Sequence, residues 1–215
     1  MADYRPASRR PIAEVFRVSA RWATNLCIKL GISADAISYS SIIVAAAAAL
    51  CFWQAQAWPV LLFIAPLFCY LRLWLNMLDG MVALASNQAS PRGEILNDLP
   101  DRISDIIIFS GVAASGYARP DLAYLAAIFA VLTAYVGLMG QAVSGKREFG
   151  GIMSKPWRMV VLHLGAWATF FAPDRQLVFG PFRPLDWACS LVIAGCIQTM
   201  FVRLRRTLSI LRARQ

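Results

Sequence analysis

Residues 36–57 read Ala36-Ile-Ser-Tyr-Ser-Ser-Ile-Ile-Val-Ala-Ala-Ala-Ala-Ala-Leu-Cys-Phe-Trp-Gln-Ala-Gln-Ala57. After Trp58, residues 59–79 read Pro59-Val-Leu-Leu-Phe-Ile-Ala-Pro-Leu-Phe-Cys-Tyr-Leu-Arg-Leu-Trp-Leu-Asn-Met-Leu-Asp79. Each run approaches the roughly 20 apolar residues needed to cross a hydrocarbon core of about 30 Å. Four further stretches of this kind follow at about 103–118, 121–143, 157–173 and 185–204; the first of these is short, and the third contains His163. Backbone in lipid must pair with itself, so all six stretches predict helices. The predicted fold class is an all-α integral membrane protein with six transmembrane helices.

Composition supports that solvent. Apolar residues make up 59% of the 215 and charged residues 15%, against about 45–50% and about 25% in soluble domains. This excess excludes disorder and exceeds what one soluble core of this size can hide. All five cysteines lie within apolar helical stretches, where cysteine is a small buried hydrophobe, so a disulfide scaffold is not expected. A net charge of +9 invites a nucleic-acid reading, but the basic residues flank apolar runs instead of forming a stripe, as in membrane proteins. No nucleic-acid partner is expected.

Charge also predicts orientation. The N-terminal segment, the 84–102 and 144–158 loops and the C-terminal tail carry 17 basic residues, and the opposite connections carry only Arg119, Arg175 and Arg183. An even number of spans then places both termini in the cytoplasm, which for a bacterium means a multi-pass protein of the inner membrane. Within 12–30, Ile12, Val15, Phe16, Ala20, Ala23, Leu26, Cys27 and Leu30 recur at helical spacing, with Glu14, Arg17, Arg21, Asn25 and Lys29 opposite. That pattern predicts an amphipathic helix on the cytoplasmic surface, its cations over anionic lipid headgroups. The predicted organisation is residues 1–35 as a cytoplasmic segment with a juxtamembrane helix, 36–205 as the six-helix catalytic domain, and 206–215 as a basic tail.

Acidic residues are costly beside a membrane and are functional candidates there. Five of twelve crowd into two stretches, Asn76-Met-Leu-Asp79-Gly80-Met-Val-Ala83 and Gly93-Glu94-Ile-Leu-Asn97-Asp98-Leu-Pro100-Asp101-Arg102-Ile-Ser-Asp105. Asn76 and Asp79 lie one turn apart at the end of the second span. Asn97, Asp101 and Asp105 follow at intervals of four, with Asp98 three before Asp101. If helix runs through Pro100 these oxygens share a face; if Pro100 opens the helix, Asn97 and Asp98 lie in the preceding turn. Both alternatives gather oxygen ligands at the cytoplasmic boundary. With no nearby His or Cys cluster, the candidate metal ligands Asn76, Asp79, Asn97, Asp98, Asp101 and Asp105 favour a hard ion, Mg²⁺ or Mn²⁺. Hard ions beside phosphates suit phosphoryl transfer. Gly80, Ala83 and Gly93 are small enough to admit a nucleotide against the backbone or to pack helices tightly.

The pattern resembles the CDP-alcohol phosphotransferases, whose signature is Asp-x-x-Asp-Gly-x-x-Ala-Arg, a gap of eight or nine, then Gly-x-x-x-Asp-x-x-x-Asp. Here Asp79-Gly80-x-x-Ala83 matches, eight residues lie between Leu84 and Gly93, and Gly93-x-x-x-Asn97-x-x-x-Asp101 keeps the second spacing. Gly31-Ile-Ser-Ala-Asp35-Ala-Ile-Ser38 is similar to the segment leading into the family's first span. Asn76, Asn97 and Leu84 stand where the signature has two aspartates and the arginine. The resemblance implies transfer of a substituted phosphate from a CDP-linked lipid or alcohol to a small polar alcohol, with release of CMP, in phospholipid synthesis. It further implies Asp79 and Asp101 as the catalytic carboxylates, Asp101 as the base, and a membrane homodimer. Lys146, Arg147, Lys155 and Arg158, in a loop with Gly145, Gly150 and Gly151, suit an acceptor phosphate or anionic lipid equally. The altered signature keeps open a weakened relative that binds CDP-lipid as a partner subunit. A transporter fits less well, because its acidic site would lie near the midplane.

Overall fold

The computed structural model describes residues 12–87, 91–145, 147–171 and 182–213. These form seven helices: α1 (Ile12–Lys29), α2 (Ala34–Trp53), α3 (Leu61–Ala85), α4 (Pro91–Ala114), α5 (Pro120–Ser144), α6 (Lys155–Phe171) and α7 (Pro184–Arg212), with a 3-10 turn at Gln54–Gln56. Four of them, α2 with its following turn, α3, α5 and α7, are long and apolar enough to cross a membrane. The shortfall from six has a local cause. Helix α6 has 17 residues, and the first half of α4 carries Asp98, Asp101, Arg102 and Asp105. Large apolar side chains such as Ile43, Leu67, Ile128, Leu164, Leu191 and Phe201 point outward from the bundle, a surface suited to lipid and unsuited to water.

Helix ends follow the sequence. Ser33 caps α2, its Oγ accepting from the Ala36 amide at 3.2 Å. Pro120 and Pro184 sit in the first turns of α5 and α7, where the missing N–H costs nothing. Gly145 ends α5 at φ 71°, a left-handed conformation that glycine adopts without strain. At the end of the bundle away from the acidic cluster, buried Asp186 accepts from the Arg183 amide at 2.8 Å and the Arg119 amide at 2.5 Å. One carboxylate thereby ties the start of α7 to the start of α5.

Small residues let the helices approach closely. Lipid tails are as apolar as leucine, so tight packing must substitute for a hydrophobic drive between helices. On α2, Ser41, Ala45 and Ala48 are buried, as are Ala123, Ala126, Ala127, Ala130 and Ala134 on α5. The α2–α4 contact is closest at Gly111, where a Cβ would collide with the backbone of Ala49. Backbone cannot yield as a side chain can. Gly111→Ala is therefore expected to lower the melting temperature in detergent, overpacked cores typically losing about 1–3 kcal/mol. Gly80→Ala, with no atom within 4 Å of its Cβ, is expected to leave it unchanged or raise it. An unaltered melting point for Gly111→Ala would contradict the close α2–α4 approach.

The main core gathers Phe52, Leu62, Ile108, Phe109, Val112, Met159, Leu162, Leu185 and Val192 from five helices. A smaller cluster of Ala23, Cys27, Ile37, Leu78 and Val82 holds α1 against α2 and α3, and Trp74 Nε1 donates to Ser19 Oγ at 3.1 Å. The seam expected to face lipid is thus divided. Its small members Ala20, Ala23 and Cys27 are buried, while Leu26 and Leu30 stay exposed.

Candidate functional site

Helix α4 runs continuously through Pro100, which settles the two alternatives left by the sequence. Asp98, Asp101 and Asp105 therefore lie on adjoining turns of one helix. The C-terminal half of α3 faces them with Arg72, Asn76 and Asp79, again at one-turn spacing. The start of α6 contributes Lys155 and Arg158, and the preceding loop contributes Arg147.

Asp101 is 2% exposed and is the hub. Its Oδ2 is in contact with Lys155 Nζ and its Oδ1 with the Asn76 side-chain amide. Arg72 Nη2 lies 3.2 Å from Oδ1 and donates to the Asp101 carbonyl at 2.7 Å. Asp105 is completely buried between Arg72 Nη2 at 3.2 Å and Arg158 Nη2 at 2.8 Å. Asp98 pairs with Arg102 at 3.0 Å and Arg147 at 2.7 Å. Burial acts to raise the Asp98 pKa, but the two guanidiniums outweigh it and hold the carboxyl below its ordinary range. Asp79 is 2% exposed and accepts from Ser38 Oγ at 2.5 Å. Lys155 lies just before the apolar 157–173 stretch.

The expected ligands are thus brought to one region but not to one point. Among the described residues, no group of three or more His, Cys, Asp or Glu side chains is arranged to hold a metal ion. Asp98 and Asp105, expected as metal ligands, instead face arginine pairs. Asn76 presents its amide to Asp101, beside Asp79 one turn along α3. Gly80 has open space over its Cα, and Ala83 is half-buried. Gly93 lies in the first turn of α4, next to Asn97, whose side chain lies outside the described residues, as does Lys146.

Two residues, Ser38 and Arg203, gain roles that the sequence does not signal, whereas Arg72, within the second span and four residues before Asn76, pairs with Asp101 and Asp105. Ser38 had no distinguishing signal beyond its place in the segment before the first span. Arg203, counted by charge with the basic C-terminal tail, is half-buried and donates to the Thr133 carbonyl at 2.7 Å and the Gly150 carbonyl at 3.1 Å. His163 behaves as a helix-interface residue: its Nδ1 lies 2.7 Å from the Tyr70 hydroxyl and its ring packs edge-on against Trp167.

No protein-family model matches the chain. Over 118 residues it is 32% identical to inner membrane protein YnbA of Escherichia coli, covering 55% of this chain and 59% of that one. It is 31% identical over 118 residues to a phosphatidylinositol phosphate synthase of Mycolicibacterium smegmatis, covering 52% and 49%. It is 27% identical over 93 residues to an archaetidylinositol phosphate synthase of Pyrococcus horikoshii, covering 43% and 50%. The chain therefore spans about half the length of the curated relatives it matches. In three dimensions it resembles the Mycobacterium tuberculosis phosphatidylinositol phosphate synthase solved with CDP-DAG bound, with a TM-score of 0.71, 21% identity, and coverage of 89% and 94%. The same synthase in complex with manganese and citrate gives a TM-score of 0.71 at 21% identity, covering 88% of each chain. The likeness to these structures is one of fold.

Proposed function

We propose that this chain is a member of the CDP-alcohol phosphotransferase family and moves a phosphatidyl group from CDP-diacylglycerol to a small polar alcohol, releasing CMP. The observation that carries this reading is the α3–α4 junction. There buried Asp79 and Asp101 lie on α3 and α4 among five cations, Arg72, Arg102, Arg147, Lys155 and Arg158, and Gly80, next to Asp79 in sequence, has open space over its Cα. Cations suit a diphosphate, and a glycine face lets it approach the backbone.

In this reading the acceptor hydroxyl oxygen bonds to the lipid-side phosphorus of the diphosphate. The bond from that phosphorus to the bridging oxygen breaks, and CMP leaves with the bridging oxygen. The hydroxyl proton passes to Asp101. Asp79, Asp101 and the neutral Asn76 can offer oxygens to one hard divalent ion. Such an ion would neutralise charge on the diphosphate and the leaving phosphate. Ser38 holds Asp79 in place. Arg147, with Lys146 beside it in the sequence, suits a phosphate on the acceptor, as the phosphoinositol products named for the relatives would require.

Helices α2 to α7 supply six spans in this arrangement, with α4 and α6 relying on their partners to bury polar groups, and α1 lies along the cytoplasmic face. Both termini and the site face the cytoplasm, residues 36–205 form the catalytic unit, and two copies pair in the membrane. At a rise of about 1.5 Å per residue, the 29 residues of α7 outreach the hydrocarbon core, which leaves its arginine-rich end in the headgroup region.

The test is CMP release by purified protein in liposomes given CDP-diacylglycerol, Mg²⁺ or Mn²⁺, and a panel of alcohols and alcohol phosphates. Turnover with one acceptor is the expected result. CDP-diacylglycerol binding without CMP release under any acceptor would overturn it in favour of a binding subunit, the reading that Asn76, Leu84 and Asn97 keep alive.

A further inference from the structure

We propose that the Lys155 ammonium, seated on Asp101, is a built-in cation of the phosphate site, so that the centre takes one divalent ion and not two. The inference rests on the functional reading above and concerns how the same site meets negative charge.

Three observations lead to it. First, the α4-facing oxygens are already engaged. Lys155 and Asn76 contact the two Asp101 oxygens, Arg72 and Arg158 flank Asp105, and Arg102 and Arg147 hold Asp98. Second, the local charge is positive before any ion enters. The carboxylates are Asp79, Asp98, Asp101 and Asp105, and the cations are Arg72, Arg102, Arg147, Lys155 and Arg158. Two divalent ions would add four charges to a centre already short of anions. Third, the residues at positions 76 and 97 are asparagines, which offer a carbonyl oxygen but no charge to offset a second ion.

Lys155 is suited to the task. An ammonium is a compact point charge with three donors on a flexible stem, able to keep one contact with Asp101 and turn others to phosphate oxygens. Its side chain is about a quarter exposed, whereas Asp101 beneath it is almost fully covered. The ammonium is therefore the more accessible member of the pair and can reach phosphate oxygens that Asp101 does not. A metal ion bound at that same Asp101 oxygen would have to displace the ammonium or sit against it.

Two measurements on the full chain in nanodiscs decide the matter without turnover. Mn²⁺ binding, counted by electron paramagnetic resonance, is expected to saturate at one ion per chain, and this count needs no variant. CDP binding in EDTA is expected to persist in the wild type and to weaken by about tenfold or more in Lys155→Gln, because a direct ammonium–phosphate contact is lost. Lys155→Arg, which keeps the charge, should stay within about threefold in EDTA. Mn²⁺ should bind Lys155→Gln more tightly than wild type, since a like charge has gone. Two Mn²⁺ ions per wild-type chain, or no tightening of Mn²⁺ in Lys155→Gln, would overturn the proposal. If CDP failed to bind under every condition, the functional reading would fall, while the two Mn²⁺ measurements would still decide the role of the lysine.

Discussion

Asp101→Asn is expected to reduce CMP release by about a thousandfold, within the range that a positioned general base supplies. The argument is one of position. Asp101 is the point where α3, α4 and α6 meet, through Asn76, Arg72 and Lys155. Amide for carboxylate keeps the shape but removes the proton acceptor and leaves Lys155 and Arg72 facing a neutral group. Asp79→Asn is expected to fall as far, because it leaves Asp101 as the only charged oxygen ligand at the junction. Asp121→Asn serves as the control. That residue pairs with Arg119 at 2.8 Å, both more than half exposed, in the first turn of α5 away from the site. Exposed pairs of this kind contribute about 0–1 kcal/mol to stability, so turnover should be unchanged. Initial rates at saturating donor, with melting temperatures measured in parallel, separate lost chemistry from lost fold. Wild-type turnover in either Asp79→Asn or Asp101→Asn would remove the catalytic assignment.

What the sequence revealed divides by physical range. Apolar length and flanking charge are local properties, so α2, α3, α5 and α7 were legible as membrane helices from residue order alone. The acidic cluster was legible as a site because carboxylates beside lipid are costly and four of them recur at helical spacing. The course of the chain at Pro100 was not legible, since proline opens a helix or sits within one according to its packing. Some partners of the acids were also hidden. Lys155 lies 54 residues from Asp101, and Ser38 lies 41 from Asp79; only the packing of α6 and α2 against α3 and α4 joins them. Arg203 shows the same limit from the other side. In the one-dimensional pattern it belongs with a run of tail arginines, but in the fold it is the member that turns inward to α5.

That limit matters most for Arg72, whose partners govern the second large effect. Asp105→Ala is expected to be the most destabilising single change at the site, costing about 3–5 kcal/mol, the usual result of leaving a buried charge without its partner. Arg72 and Asp105 are both completely buried, and Arg158 is nearly so. Removing the carboxylate leaves two guanidiniums facing each other with no anion between them. Arg72→Met should cost less. It strips one cation from Asp105, but Arg158 remains 2.8 Å away and Lys155 still holds Asp101. The double variant Arg72→Met with Asp105→Ala should therefore be less destabilised than the sum of the singles, because it removes a cation together with its anion. Melting temperature and the monodisperse fraction in detergent read both comparisons. Additive losses would mean that the two residues do not share one ion-pair network. Arg72, Arg158 and Asp105 would then not form the rigid support on which Asp101 depends.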